Sequence, residues 1–426
     1  MKTFNILKHM GFYMAVLLPL FTAAQETALD KYIETGIANN PGLNATYKEY
    51  EMALREIRGS ASLPDPQLSA GIFVSPVETR TGPQRARFSL SQMFPWFGSL
   101  KLRKEITSLL ASSRYEDYME ARNRLVYQIK KRWFELYLNQ KEIGITEKMI
   151  HTLNILEQIA VKKYETGETG MADILRIQME QQDKQARLET LRDDSTQLTA
   201  AFNLLLNRDT DISLHTPDTL EYAIEGQDFH HRTNNNPQLK ARRLDLQVST
   251  EKTRLAKKRA FPDIGLGLDY VIIGKRPDAD PAGNGNDAIM PMLSIKLPVF
   301  QKKYTSGIKK SELNENRAQL RINATTNNLR SEYERFLSNY KRSRRDLDLY
   351  SAQYHKADQV MQLLLSEYSA TGKKYDEVME IQQVLYRYAL KLEKALTGYH
   401  SAIAYFEYIS GNPDIEPIKS QHHENH

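Results

Sequence analysis

The chain of 426 residues contains no cysteine. That excludes a disulfide framework, thiolate chemistry and cysteine-ligated zinc. It fits an oxidising compartment, where stray thiols are a liability. No glycine-rich phosphate loop, no His-Glu-x-x-His and no nucleophile elbow occurs, so the usual enzyme signatures are missing. Charge is nearly balanced, at +5, which does not argue for nucleic acid. Beyond residue 24 no stretch approaches 18 apolar residues, and mean hydropathy is −0.56. A membrane-spanning helix is therefore not expected, and any membrane passage has to use strands. No cofactor is implied.

Residues 1–24 read as a secretory signal peptide. Lys2 and Lys8 give a basic start, Met10–Phe21 an apolar stretch interrupted by Pro19, and Thr22-Ala23-Ala24 a small-residue cleavage site. Its removal takes two lysines and no acid, so the charge falls from +5 to +3. Without a cysteine at the cleavage site, lipid attachment there is excluded.

What the sequence does contain is a repeat. Tyr164–Gln178 and Tyr368–Gln382 align without a gap at an offset of 204. Upstream, Asn39-Asn40-Pro41 is echoed by Asn235-Asn236-Pro237, Leu63-Pro64-Asp65 by Phe261-Pro262-Asp263, and Pro95-Trp96-Phe97 by Pro298-Val299-Phe300. This is one unit used twice. The first repeat is read as 25–208, a connector as 209–228, the second repeat as 229–411 and a flexible tail as 412–426. Each repeat runs helix, β-hairpin, very long helix, turn, return helix.

The strands are read from alternation at about 67–77 and 85–94, then about 262–274 and 288–297. Leu68, Ala70, Ile72 and Val74 alternate against Ser69, Gly71 and Ser75, and Ile264, Leu266, Leu268 and Tyr270 against Gly265, Gly267, Asp269 and Val271. Strands of about ten residues have the length of a tilted membrane strand, although one such hairpin taken alone reads better as an ordinary half-buried one. Lys275–Asp287 reads as a long mobile loop of turn formers. Met290 and Met292 share one face of the last strand, where they are barrel-wall residues or copper contacts. The helical hairpins span about 99–207 and 302–411. A 65-residue helix is roughly 100 Å long, and apolar residues recur three and four apart, as at Leu125, Ile129, Trp133 and Leu136.

Four strands cannot close a barrel, and an open edge is not tolerated in lipid. Three copies supply twelve strands, above the eight of the smallest barrels. The expected fold is therefore mainly α with a membrane β-barrel. A homotrimer would form a twelve-stranded barrel continued by a hollow α-helical tube. Phe94, Trp96, Phe97 and Phe300 suit a membrane interface. The competing reading is a secreted coiled-coil scaffold or adhesin with two small soluble hairpins.

In their order and spacing these features resemble the TolC-type outer-membrane efflux family over essentially the whole mature length. The carrying residues are the duplicated Asn-Asn-Pro, the Leu63-Pro64-Asp65-Pro66 entry to the first strand, Phe94-Pro95-Trp96-Phe97-Gly98 and the two turns. The loop Pro76–Arg80 and Gln92–Gly98 look most like the heavy-metal (CusC/CzcC-like) branch. Some relatives carry a lipidated N-terminal cysteine; this chain has none. The resemblance implies a passive homotrimeric exit duct spanning the outer membrane and periplasm. It would dock onto a periplasmic adaptor and an inner-membrane pump, exporting metal ions or drugs.

It also implies sites. Glu377 and Glu380, three apart on one helix face, match positions where the family places acids at the periplasmic constriction. Crowded there in three copies, such carboxylates favour cations and raise some of one another's pKa values. As plain first-turn acids they would only stabilise a helix start. Asp173 and Arg176 are their equivalents in the first repeat, and Arg176 is expected to pair with Glu377 or Glu380 of a neighbouring hairpin. The turns, with Thr166, Gly167, Gly170, Thr371 and Gly372, are the expected adaptor-docking surface. The terminal cluster His422, His423 and His426 is a weak candidate for loose metal binding beside the plainer reading of a flexible tail.

Overall fold

A computed structural model describes residues 28–220, 233–371 and 374–411. The signal-peptide reading, Gly372 and the terminal histidines lie outside the described residues. In chain order the elements are α1 Ala28–Asn39, α2 Pro41–Ser60, β1 Gln67–Val77, β2 Gln84–Phe94, α3 Ser99–Glu165, α4 Met171–Leu205, a single 3₁₀ turn Thr233–Asn235, α5 Pro237–Lys258, β3 Asp263–Ile273, β4 Ala288–Lys296, α6 Gln301–Thr371 and α7 Tyr375–Ser410.

The four strands form one antiparallel sheet in the order β1-β2-β3-β4. The two hairpins of the repeat thus join through β2 and β3, and among the described residues the outer edges of β1 and β4 are unpaired. Register builds two contrasting faces. On one face, Leu68, Leu90 and Leu268 lie side by side, as do Ala70, Phe88, Tyr270 and Ile289. These apolar side chains are uncovered: Ile72 is 82% exposed, Leu68 73% and Leu293 68%. On the other face, Ser69, Ser89, Asp269 and Met290 share a rung, as do Gln67, Ser91, Gly267 and Met292. An apolar face of this extent is not left to water in a folded protein. With an opposite face that carries Ser, Gln, Arg87 and Asp269 beside Met290 and Met292, it is the pattern of a membrane strand.

Asp269 is fully buried on the polar face and pairs with Arg87 of β2. Among the described residues its Oδ1 has no hydrogen-bond partner.

Loop 275–287, expected to be mobile, is instead cross-linked, which corrects that reading. The Asn284 side chain accepts from the Arg276 N–H at 2.9 Å and donates to the Arg276 and Ala279 carbonyls and to Asp280. The Arg276 guanidinium grips Asp278 through two bonds, of 2.8 and 2.6 Å. That grip, followed by a backbone hydrogen bond, holds the Asp278 carboxyl down at about 2. The loop also meets the β1–β2 turn, where the Gly285 N–H donates to the Thr81 carbonyl and the Gly274 N–H to that of Pro83, both at 2.7 Å. Gly82, at φ +128°, sits so close to the Gly274 carbonyl that no Cβ fits. Glycine and proline spacing marks turns but says nothing about the side-chain bonds that freeze them.

The helices give this sheet a long stalk. α3 has 67 residues and α6 has 71, so each is about 100 Å long. α3 packs on α2, α4, α5 and α7, while α6 packs on α5 and α7. Among the described residues no helix is long and apolar enough to cross a membrane.

The repeated Asn-Asn-Pro has a structural purpose. Asn40 caps α2 by accepting from the Leu43 N–H at 3.0 Å, and its amide donates to the Leu205 carbonyl at the end of α4, at 2.9 Å. Asn236 does the same for α5, accepting from the Leu239 N–H at 3.3 Å and donating to the Ile409 carbonyl of α7 at 3.0 Å. Pro41 and Pro237 fill the first helical position, where no N–H is needed. Each asparagine thus splices a short helix end-on to a return helix. Asn40→Ala and Asn236→Ala should each destabilise by about 2 kcal/mol, because a cap and a buried carbonyl's partner go together. Chemical denaturation checks this, with Asn39→Ala as the neutral control.

Candidate functional site

The ends of the two helical hairpins, farthest along the chain from the sheet, pack on a shared core. Leu153, Leu156 and Ala160 of α3, Ile174 and Ile177 of α4, Tyr368 of α6 and Tyr375 and Val378 of α7 are all buried there. Since Tyr375 and Val378 face inward, the acids between and beyond them face outward. Asp376, Glu377 and Glu380 are all exposed.

Two polar links join the hairpins next to the turns; others lie further along α3 and α7, such as Gln382 to Met149 and the Thr146–Tyr386 hydroxyl pair. The Tyr375 hydroxyl donates to the backbone carbonyl of Asp173 at 3.1 Å. Arg176 donates to Asp376 at 2.9 Å. Arg176 therefore does find a carboxylate on the other hairpin, but within the chain it is Asp376, not Glu377 or Glu380. Burial raises the Tyr375 pKa above its ordinary value, and the Asp173 charge adds to the effect. Tyr368 is raised for the same two reasons in the same order.

Sequence reasoning missed Tyr375 and Asp376. At the repeat offset of 204 they stand where the first hairpin has Met171 and Ala172. A tyrosine and an acid in place of two apolar residues was the available signal. Which acid faces Arg176 could not be read this way, because it depends on how α7 is rotated against α4.

At the first turn, Thr166 donates to the Lys163 carbonyl at 3.0 Å and to Glu168 at 2.9 Å. Gly167 adopts φ +75°, and Gly170 precedes α4 in extended conformation. Hydrogen bonds from Lys163 and then Thr166 lower the Glu168 pKa. In α4's first turn, Asp173 accepts from the Thr169 hydroxyl. At the second turn, Thr371 donates to the Glu367 carbonyl at 2.9 Å. Lys374, at φ +69°, reaches Glu367 at 3.0 Å. Among the described residues no cluster of three or more His, Cys, Asp or Glu side chains could hold a metal.

Residues 231–404 match the family model described as outer membrane efflux protein. The match covers most of the second repeat, and over those residues the chain is similar to this family. No curated protein matches the sequence, but solved structures carry the fold over its length. VceC, an outer membrane protein of Vibrio cholerae, superposes with TM-score 0.76 at 15% identity, over 90% of this chain and 96% of that one. The outer-membrane channel OprN gives 0.77 at 14%, over 91% and 90%. CusC gives 0.76 at 15%, over 91% and 92%. Their near-equal scores separate no branch of the efflux family from another. The resemblance drawn from repeated motifs is thus supported by a family match within the second repeat and by the fold.

Proposed function

We propose that this chain is one subunit of a passive homotrimeric duct through the outer membrane, with the helical stalk in the periplasm. The observation that carries the reading is the sheet: four strands, two unpaired edges and one uncovered apolar face. In lipid, each free edge has to be satisfied by another copy. Three copies close twelve strands into a barrel wide enough for a lumen, and they bring six helical hairpins into a ring below it. The scaffold reading leaves the apolar face unexplained.

The hairpin ends form the gate in this proposal. Glu377 and Glu380 are the acids that line the constriction, while Asp173 and Arg176 take part in the links that hold the hairpins together. The turns Thr166–Gly170 and Thr371–Gly372 receive a periplasmic adaptor, and an inner-membrane pump supplies the energy. A ring of carboxylates favours cationic cargo, metal ions or cationic drugs.

Single-channel recording in a planar bilayer tests this, with wild type beside Glu377→Gln/Glu380→Gln. The expected result is a discrete, cation-selective conductance whose selectivity drops in the variant. Protein that stays soluble without detergent and conducts nothing would return the scaffold. Conductance that ignores the substitutions would move the gate elsewhere.

A further inference from the structure

Where the helices meet the sheet, the charge is strongly one-sided. Residues 237–259 hold eight Lys and Arg but only Asp245 and Glu251 as acids. This run forms one wall of a cleft of about 560 Å³ between the end of α2, the start of α3, α5 and α6. Arg103, Lys252 and Arg259 line it, with Ser62 at its rim and no acid in the wall. Among the described residues none of the three cations makes an ion pair, whereas many other Lys and Arg along the helices do. Lys252 also lines a second, smaller cleft with Arg317 and Arg321, so the basic surface continues down the stalk. The acid in that second wall is Asp245, already bonded by Arg242 at 2.8 Å and by Ser113 at 3.1 Å.

The first cleft lies close to the edge of the apolar face. Two residues after Arg259, Phe261 stacks on Trp96, with ring centroids 5.0 Å apart. The Trp96 N–H donates to Asp263 at the start of β3. Phe97 and Phe300 beside them are 74% and 78% exposed. An exposed aromatic girdle at the end of an apolar strand face marks a membrane boundary. Arg103 is one helical turn from it and Lys252 about 10 Å further along α5 than Arg259. That is the depth of lipid headgroups.

We propose that this cleft binds a phosphate group, held by Arg103, Lys252 and Arg259. Guanidinium and ammonium groups without carboxylate partners suit phosphate oxygens, which they bind through charge-assisted hydrogen bonds. The volume is that of a small-ligand site. The position favours the headgroup of an anionic phospholipid; a phosphate-bearing solute offers the same chemistry. The inference rests on the sheet being membrane-embedded.

The test is native mass spectrometry of the detergent-purified protein titrated with phosphatidylglycerol, phosphatidylcholine or inorganic phosphate. The variants are Arg103→Gln/Lys252→Gln/Arg259→Gln and, as a control outside the cleft, Lys302→Gln/Lys303→Gln. Wild type should prefer phosphatidylglycerol to phosphatidylcholine. The triple variant should lose roughly 100-fold in that affinity, at several-fold per cation, and the control little. If inorganic phosphate binds wild type but not the triple variant, and the two lipids bind equally, the site stands and its phosphate comes from solution. Equal losses in both variants would reduce the cleft to a diffuse basic collar and overturn the proposal, as would no selective binding at all. Planar-bilayer conductance of the triple variant separates the two readings, since a conducting variant keeps the duct whatever happens to phosphate.

Discussion

Tyr375→Phe should open the duct. The hydroxyl of Tyr375 is the better of the two links next to the turns, buried and bonded to the Asp173 carbonyl at 3.1 Å. Such a bond contributes about 1 kcal/mol, and more if the carbonyl is left without a partner. The Arg176–Asp376 pair is 61% and 85% exposed, which limits it to a few tenths of a kcal/mol. Together these two bonds amount to about 1.5 kcal/mol per subunit, or roughly 10-fold in the balance between joined and separated hairpin ends, beside the buried core the hairpins share. Tyr375→Phe/Arg176→Ala should therefore raise open probability by about that factor in planar bilayers, with most of the gain already present in Tyr375→Phe alone. Unchanged conductance in the double variant would remove these links from the gate.

Two refinements follow from the same geometry. In a double-mutant cycle, Arg176→Ala should couple to Asp376→Ala by about 0.5 kcal/mol and to Glu377→Ala by nothing measurable. The pH dependence has a definite sign. The Tyr375 pKa in the joined state is raised above its ordinary 10.0. The joined hairpins hold that proton more tightly than the separated ones, so the contact is at full strength below pH 10 and fades as pH rises beyond it. Open probability should be flat from neutral pH to about 9 and climb above about 10.

Arg87→Ala should be the most damaging single change in the sheet. Asp269 has no exposed surface, and Arg87 is its partner across β2 and β3. Removing the arginine leaves a buried carboxylate uncompensated, which costs about 3–5 kcal/mol. Loss of β-signal on heating in detergent should come markedly earlier than in wild type. Arg87→Ala/Asp269→Ala should recover much of that loss, since it deletes the stranded charge. A double variant no better than Arg87→Ala would mean that the arginine works by packing rather than by charge.

Much of this protein is written locally. Alternation at Leu68–Val74 and Ile264–Tyr270 announces strands with one apolar face, because side chains in a strand point to opposite sides in turn. Three- and four-residue spacing around Ile129 and Leu136 announces a long packed helix for the corresponding reason. Asn-Asn-Pro marks both helix starts, as a capping side chain and a proline at the first position act within a few residues. The duplication at an offset of 204 places the two tips in register.

Tertiary structure decided the rest. Nothing local says that β2 pairs with β3 and joins two hairpins into one sheet, since backbone groups at any strand edge are chemically alike. Arg176 meets Asp376 rather than Glu377 because burying Tyr375 and Val378 sets the rotation of α7. Loop 275–287 is held by bonds from Asn284 that its composition, rich in turn formers, does not reveal. The cations of the basic cleft lie on α3 and α5, some 150 residues apart in sequence. Only the packing of α5 against α3 gathers them at the foot of the sheet, because periodicity says which face of a helix is buried and not which other helix it meets.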